Sequence, residues 1–192
     1  MVIPAFDSES GHLPPGRYSC TLEEVEEHLV SGERFKSSSN RGALFGGLLR
    51  YLLDWGEVPR KTGVGDPILR SVWMAGSFVS PKLEPGDLDL TVIIDGGTAD
   101  AMRGKPGSKA IRDLTQHRDG VKQRYGLEVF TLRWHPVVHL HQANPALSAA
   151  ELAYLSDRGR YDDWWQRCRL DEADLPSVES CASRRGYLEV RW

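Results

Sequence analysis

Cysteine is scarce in this chain. Cys20, Cys168 and Cys181 are an odd number, far apart, with no Cys-x-x-Cys pair among them. That spacing excludes a disulfide framework and a cysteine zinc site. No apolar run approaches the roughly 20 residues that a membrane-spanning helix needs, and the mean hydropathy is −0.41. Met1-Val2-Ile3-Pro4-Ala5-Phe6-Asp7 lacks the basic start and apolar core of a secretory signal. These absences lead to the expectation of a reduced, cytoplasmic protein without disulfides or a membrane partner. No charge of one sign dominates either. Lys plus Arg number 24 against 27 Asp plus Glu, a net charge of −3, which is not the balance of a dedicated nucleic-acid binder. Internal repeats and low-complexity tracts are also missing.

What is present is an ordinary globular composition in 192 residues, 40% of them hydrophobic, enough for one domain. The charge is unevenly spread. Residues 1–33 are acidic, with Glu23, Glu24, Glu26 and Glu27 close together. Between Arg103 and Arg124 stand seven basic residues against Asp113 and Asp119, either a solvated helix face or a surface for an anion.

Local patterns set the expected elements. Pro4, Gly11, Pro14, Pro15 and Gly16 punctuate an extended lead-in. Thr21 with Glu24 forms a capping box for a short helix that Ser31-Gly32 ends. Leu44, Phe45, Leu48, Leu49, Leu52 and Leu53 mark a helix from about Ser39 to Trp55, which Gly46 and Gly47 leave in need of tertiary support. A loop follows from Gly56 to Pro67. Strands are expected at Val72–Ala75, Leu88–Ile94 and Leu127–Leu132, with one helix over 108–125 between the last two, closed by Gly126. Further on, the pattern gives a helix from Ser148 to about Leu155, an aromatic helix over about 160–169, and an edge strand at Tyr187–Val190. The expected organisation is a single domain of the α/β (α+β) class, a small mixed sheet flanked by helices. Its core lies at about 40–142, with extensions at 1–38 and 143–192.

One constellation carries chemistry. Gly76-Ser77 follows an apolar strand, and Asp87-Leu88-Asp89-Leu90 opens the next. Alternation puts the Asp87 and Asp89 side chains on one face, Cα atoms about 6.6 Å apart. Two carboxylates so placed suit hard divalent cations, Mg2+ or Mn2+. Gly76 allows close backbone approach to a phosphate, and Ser77 adds a donor. A third carboxylate is wanted from a neighbouring strand. Asp95 lies too far along the same strand, about 20 Å, whereas Glu128, flanked by apolar residues in its own short strand, fits.

This pattern resembles the polymerase-beta-like nucleotidyltransferase superfamily, in particular its small bacterial members. The matching residues are Gly76, Ser77, Asp87, Asp89 and Glu128, and the resemblance covers roughly residues 71–132. Glu128 departs from the Asp common at the third position. The whole chain is also similar to a group of short bacterial and phage proteins. These share a segment like Leu13-Pro14-Pro15-Gly16 and a block like Pro85-Gly86-Asp87-Leu88-Asp89-Leu90.

The resemblance implies a nucleotidyltransferase-like fold. It implies an enzyme that moves a nucleoside monophosphate from a nucleoside triphosphate to a hydroxyl on a protein, a tRNA or a small molecule, in some relatives within toxin–antitoxin pairs. Asp87, Asp89 and Glu128 would hold Mg2+ (or Mn2+), and Glu128 could also receive the acceptor proton. Gly76, Ser77, Lys82 and either Lys105 or Lys109 would meet the phosphates, the helix of the basic stretch packing with its Lys105–Arg112 end nearest them. The alternative is a binding protein that keeps the fold, has lost turnover and acts on a partner by contact. A solvated turn bearing two Asp residues is the plainest reading. Outside this set, His135, His139 and His141 read as turn and strand histidines rather than a metal site. Tyr161, Trp164, Trp165 and Trp192 read as core before base-stacking platforms, and Asp162-Asp163 as first-turn helix charge.

Overall fold

A computed structural model describes residues 3–138, 140, 147–168, 178, 181, 182 and 184–191. These residues form five strands and six α-helices. The strands are β1 (Gly16–Cys20), β2 (Leu69–Ala75), β3 (Leu88–Asp95), β4 (Leu127–Trp134) and β5 (Gly186–Arg191). The helices are α1 (Leu22–Leu29), α2 (Arg41–Thr62), α3 (Gly96–Met102), α4 (Lys109–Thr115), α5 (Arg118–Tyr125) and α6 (Ala149–Gln166). A 3-10 turn over Gly76–Val79 follows β2. The fold is mixed α+β.

One sheet holds all five strands in the order β1-β5-β2-β3-β4. β2 is antiparallel to both β3 and β5, while β1 pairs parallel with β5 and β4 parallel with β3. The sheet therefore takes in both segments expected as extensions. β5 is an interior strand rather than an edge, and β1 arises within the expected irregular lead-in. Pro14, Pro15 and Gly16 hid a strand whose pairing partner lies at the far end of the chain, which no local pattern registers.

Strand alternation sorts the core to two faces. Val72, Met74, Leu88, Leu90, Val92, Ile94, Leu127, Val129, Leu188 and Val190 join the larger cluster, which packs under α2 with Leu44, Phe45, Leu48 and Tyr51. Trp73, Ala75, Ile93, Leu132 and Tyr187 face the other way, covered by Tyr154 and Trp165 of α6. Trp165 Nε1 donates to Thr91 Oγ1 at 2.8 Å, pinning α6 to β3. On the same face Glu189 is buried beneath Trp73, whose Nε1 donates to it at 2.9 Å. Burial works against that ion, but Trp73 and Arg191, aided by Arg17, outweigh it and hold Glu189 below the usual carboxylate range.

Several expected boundaries move. The Thr21 capping box forms with Glu24. α2 runs past Trp55 to Thr62 despite Pro59 in its last turns; it ends at Gly63, in the left-handed conformation, and Thr62 Oγ1 donates to Val58 O at 3.0 Å. The two helices expected between 148 and 169 are one, α6, capped by Ser148 and Glu151. Asp162 and Asp163 consequently lie near its end, where Tyr187 donates to Asp162 and Arg167 pairs with Asp163. The helix expected over 108–125 is two, α4 and α5, with Gln116 and His117 between them. Gly47 supplies tertiary support of a particular kind: a Cβ there would collide with the Tyr125 carbonyl. α2 thus meets the end of α5 at backbone distance, and Tyr51 OH, donating to Leu114 O at 2.7 Å, fixes α4 beside it. Cys20 and Cys168 are free thiols. Among the described residues no helix is long and apolar enough to cross a membrane.

Candidate active site

The parallel pairing of β3 with β4 brings the acids together. In the register Asp89 stands opposite Glu128, about 4.8 Å away across the ladder, and Asp87 lies one residue before β3 begins. Ala75, immediately before Gly76, is the register partner of Asp89 on its other side. Gly76 has φ +70°, and a Cβ there would fall inside the Asp89 carboxylate. Glycine is therefore required twice, for its left-handed backbone and for the space that the carboxylate fills. Gly76, Ser77, Asp87, Asp89 and Glu128 all lie at the same end of the sheet.

The loop after the turn is held from below by a residue outside the sequence motif. Arg41 is buried at the start of α2 and donates to five carbonyls: Leu29, Phe78, Ser80, Lys82 and Leu83, at 2.6–3.3 Å. Its guanidinium also stacks 3.8 Å from the Phe35 ring centroid. Desolvation lowers its pKa to about 10. Ser80 Oγ donates to Ser77 O at 2.7 Å and tightens the turn itself.

The three carboxylates differ in their surroundings. Asp89 makes no hydrogen bond or ion pair among the described residues. Desolvation, with the charges of Asp87 and Glu128, raises its pKa to about 6, against the weaker pull of Arg185 and Lys122. Asp87 accepts from Lys122 Nζ at 2.7 Å. Glu128 accepts from Arg118 at 2.6 Å and lies 3.6 Å from Lys122 Nζ. The hydrogen bond and charge of Asp87 raise the Lys122 pKa, and Glu128 adds to this. Among the described residues no three His, Cys, Asp or Glu side chains stand as a closed ligand set. The donor chemistry nonetheless fits a hard divalent cation: three carboxylates at one sheet end, one without a partner and two neutralised by side-chain cations.

A family model described as a family of unknown function, DUF6932, matches residues 4–191. The chain belongs to DUF6932. No curated protein and no solved structure matches it.

In this DUF6932 protein the basic stretch is arranged opposite to the expectation. Lys122 and Arg118 of α5 reach the carboxylates, while Lys105 and Lys109 do not. Lys109 pairs with Asp113 at 2.7 Å. Gly104 and Ser108, flanking Lys105, border a cavity together with Ile94 and Arg133, at the far ends of β3 and β4. The reason is topological. A chain leaving the end of one strand and starting the parallel strand beside it must return to the first strand's beginning. The last helix of the crossover, not its first residues, therefore comes back to the acids. Nothing in the basic run's composition reveals that direction, but the parallel pairing does. Lys82 is exposed, and its backbone is tied to Arg41.

The remaining candidates scatter. His135 packs over Gly96 at the far end of β4; His139 and His141 lie outside the described residues. Trp165 is core, as is Tyr154. Tyr161 packs against Phe130 with centroids 5.9 Å apart. Trp164 is exposed, and Trp192 lies outside the described residues. Asp100, the next acid after Asp95, pairs with Arg103 and Arg133.

Proposed function

We propose that this DUF6932 protein is a metal-dependent nucleotidyltransferase of the polymerase-beta-like kind, moving a nucleoside monophosphate from a nucleoside triphosphate to a hydroxyl acceptor. The observation that carries the reading is the register of Asp89 with Glu128, beside Asp87 and against Gly76. Asp87, Asp89 and Glu128 are the residues to hold Mg2+ (or Mn2+). Such an ion would lower the acceptor's pKa and offset charge on the departing pyrophosphate. The chain's own groups do the rest. The turn at Gly76-Ser77 offers backbone N–H groups and a hydroxyl to phosphate oxygens. The acceptor oxygen bonds to the α-phosphorus, the bond to the β-phosphate oxygen breaks, and pyrophosphate leaves. Glu128 is placed to accept the acceptor proton. Lys122 and Arg118, which pair with Asp87 and Glu128, would be free to meet phosphate oxygens if a cation took those acids.

A second reading rests on those same two residues. With Lys122 on Asp87 and Arg118 on Glu128, two of the three acids are neutralised without a metal, as suits a contact-only binding protein. Thermal melting with increasing Mg2+ or Mn2+ separates the readings. A ligand at ten times its Kd stabilises by about 1.4 kcal/mol. The enzyme reading expects such a rise in the wild type and its loss in the Asp87→Asn, Asp89→Asn double variant. The contact-only reading expects none in either.

A further inference from the structure

The acids share a face of the sheet with an arginine at the start of the last strand. Asp89 lies two residues before Thr91, and Glu128 two before Phe130. Thr91 accepts from Trp165 Nε1 at 2.8 Å, and Phe130 packs on the Trp165 ring with centroids 5.4 Å apart. Alternation therefore turns Asp89 and Glu128 to the side that α6 covers. Arg185 lies two residues before Tyr187, which is on that side as well. Its Nε donates to Trp165 O at 3.0 Å and its backbone N–H to Gln166 O at 3.2 Å. The end of α6 thus fixes both the backbone and the side chain of Arg185.

The register gives the separation. Met74 pairs with Leu188, and Ala75 with Asp89. Carried on toward the acid end, the two registers set Arg185 level with Asp87, two strand spacings or about 10 Å away. β2 does not fill the space between them. It ends at Ala75, and the chain leaves the sheet in the Gly76–Val79 turn, which β5 touches. The turn therefore lies between a guanidinium on one side and the carboxylates on the other. A guanidinium carries five N–H donors. Arg185 spends Nε on Trp165 O and makes no other side-chain hydrogen bond or ion pair among the described residues. Lys122 and Arg118 differ, since the acids themselves engage them. Burial raises the Asp89 pKa, and the charge of Arg185 works against that rise, as expected of a cation facing the same space.

We infer that Arg185 grips the terminal phosphate of the triphosphate, at the end of the site away from Glu128. The inference rests on the nucleotidyltransferase reading and adds the direction in which the phosphates lie. With Glu128 on the acceptor side, the phosphates run over the Gly76-Ser77 turn toward β5, and the pyrophosphate departs with its outer oxygens in the guanidinium fork. The test is calorimetric titration of the full chain with Mn2+ alone and with magnesium tripolyphosphate. Arg185→Gln should weaken tripolyphosphate binding by about tenfold or more, the range for a hydrogen bond between charged groups, and leave Mn2+ bound at least as tightly. Arg185→Lys keeps the charge but not the fork and should fall between. Arg103→Gln, the same loss of charge after α3, beyond the far end of β3, should change neither. Tripolyphosphate binding in Arg185→Gln within about twofold of wild type overturns the phosphate role alone and leaves Arg185 as a cap on the last carbonyls of α6. Weakening of Mn2+ and tripolyphosphate together by Arg185→Gln overturns it too, since the loss is then one of site structure. Wild-type protein that binds neither Mn2+ nor tripolyphosphate overturns the metal-and-phosphate reading, and the role of Arg185 with it.

Discussion

Replacing Asp89 with asparagine should make the metal-free protein more stable at neutral pH. Asp89 is largely buried, has no hydrogen bond or ion pair among the described residues, and faces two other acids, so its pKa stands at about 6 rather than 3.8. The unfolded chain titrates near 3.9. A group that binds its proton more tightly when folded penalises folding once it ionises. Stability therefore rises as pH falls from about 7 toward 4, and the penalty is complete above about pH 7. At about 1.4 kcal/mol per pKa unit it amounts to roughly 3 kcal/mol, less whatever relaxation of the turn recovers. Asp89→Asn removes the charge and keeps the shape. At pH 8 in a chelating buffer it should raise the melting temperature by up to about 6–12 °C, at roughly 2–4 °C per kcal/mol for a chain this long. Near pH 4 the two proteins should melt within about 1–2 °C of each other. Calorimetric melts across that range are the assay. An asparagine variant less stable than wild type at pH 8, or a gain independent of pH, would refute the picture of an ionised acid held against its neighbours.

Three further outcomes follow from the same geometry. Arg41→Met keeps the apolar bulk but strands five carbonyls, so urea unfolding should show a loss of at least about 3 kcal/mol; a loss under about 1 kcal/mol would mean the loop does not depend on it. Gly76→Ala combines a strained φ with a collision against Asp89 and should cost at least about 2 kcal/mol, the cost shrinking in an Asp89→Ala background, with strict additivity of the pair as the contrary result. Lys122→Met should act in opposite directions on two ligands: Mn2+ alone should bind more tightly once its competitor for Asp87 is gone, while a magnesium nucleotide binds more weakly, and a shift of both in one direction would sink the counter-ion role.

Elements with a local signature were legible in the sequence, and those made by long-range pairing were not. The capping box at Thr21 and the buried strands β2, β3 and β4 follow from spacing alone, since each pattern is written within a few residues. The acids were legible for the same reason: Asp87 and Asp89 share a face by alternation, and Glu128 stands in an otherwise apolar strand. β1 and the interior place of β5 depend on pairing between Gly16–Cys20 and Gly186–Arg191, which neither segment announces. Arg41 escaped notice because a buried cation serving backbone carbonyls has no sequence pattern. Lys122 and Arg118 were read as remote from the site because the crossover was followed from its start. The α4–α5 break and the return to the start of β4 place the last helix, not the first lysines, over the carboxylates.

The central claim is most directly tested by following the two ends of the triphosphate. The full chain is incubated with Mg2+, a cell lysate as acceptor source, and each nucleoside triphosphate labelled either at the α-phosphate or at the γ-phosphate. The account predicts that α-label becomes fixed to an acceptor while γ-label is released as pyrophosphate, and that Asp87→Asn with Asp89→Asn abolishes both. Release or transfer of the γ-label as a single phosphate, or no fixation of α-label from any of the four nucleotides, would contradict it.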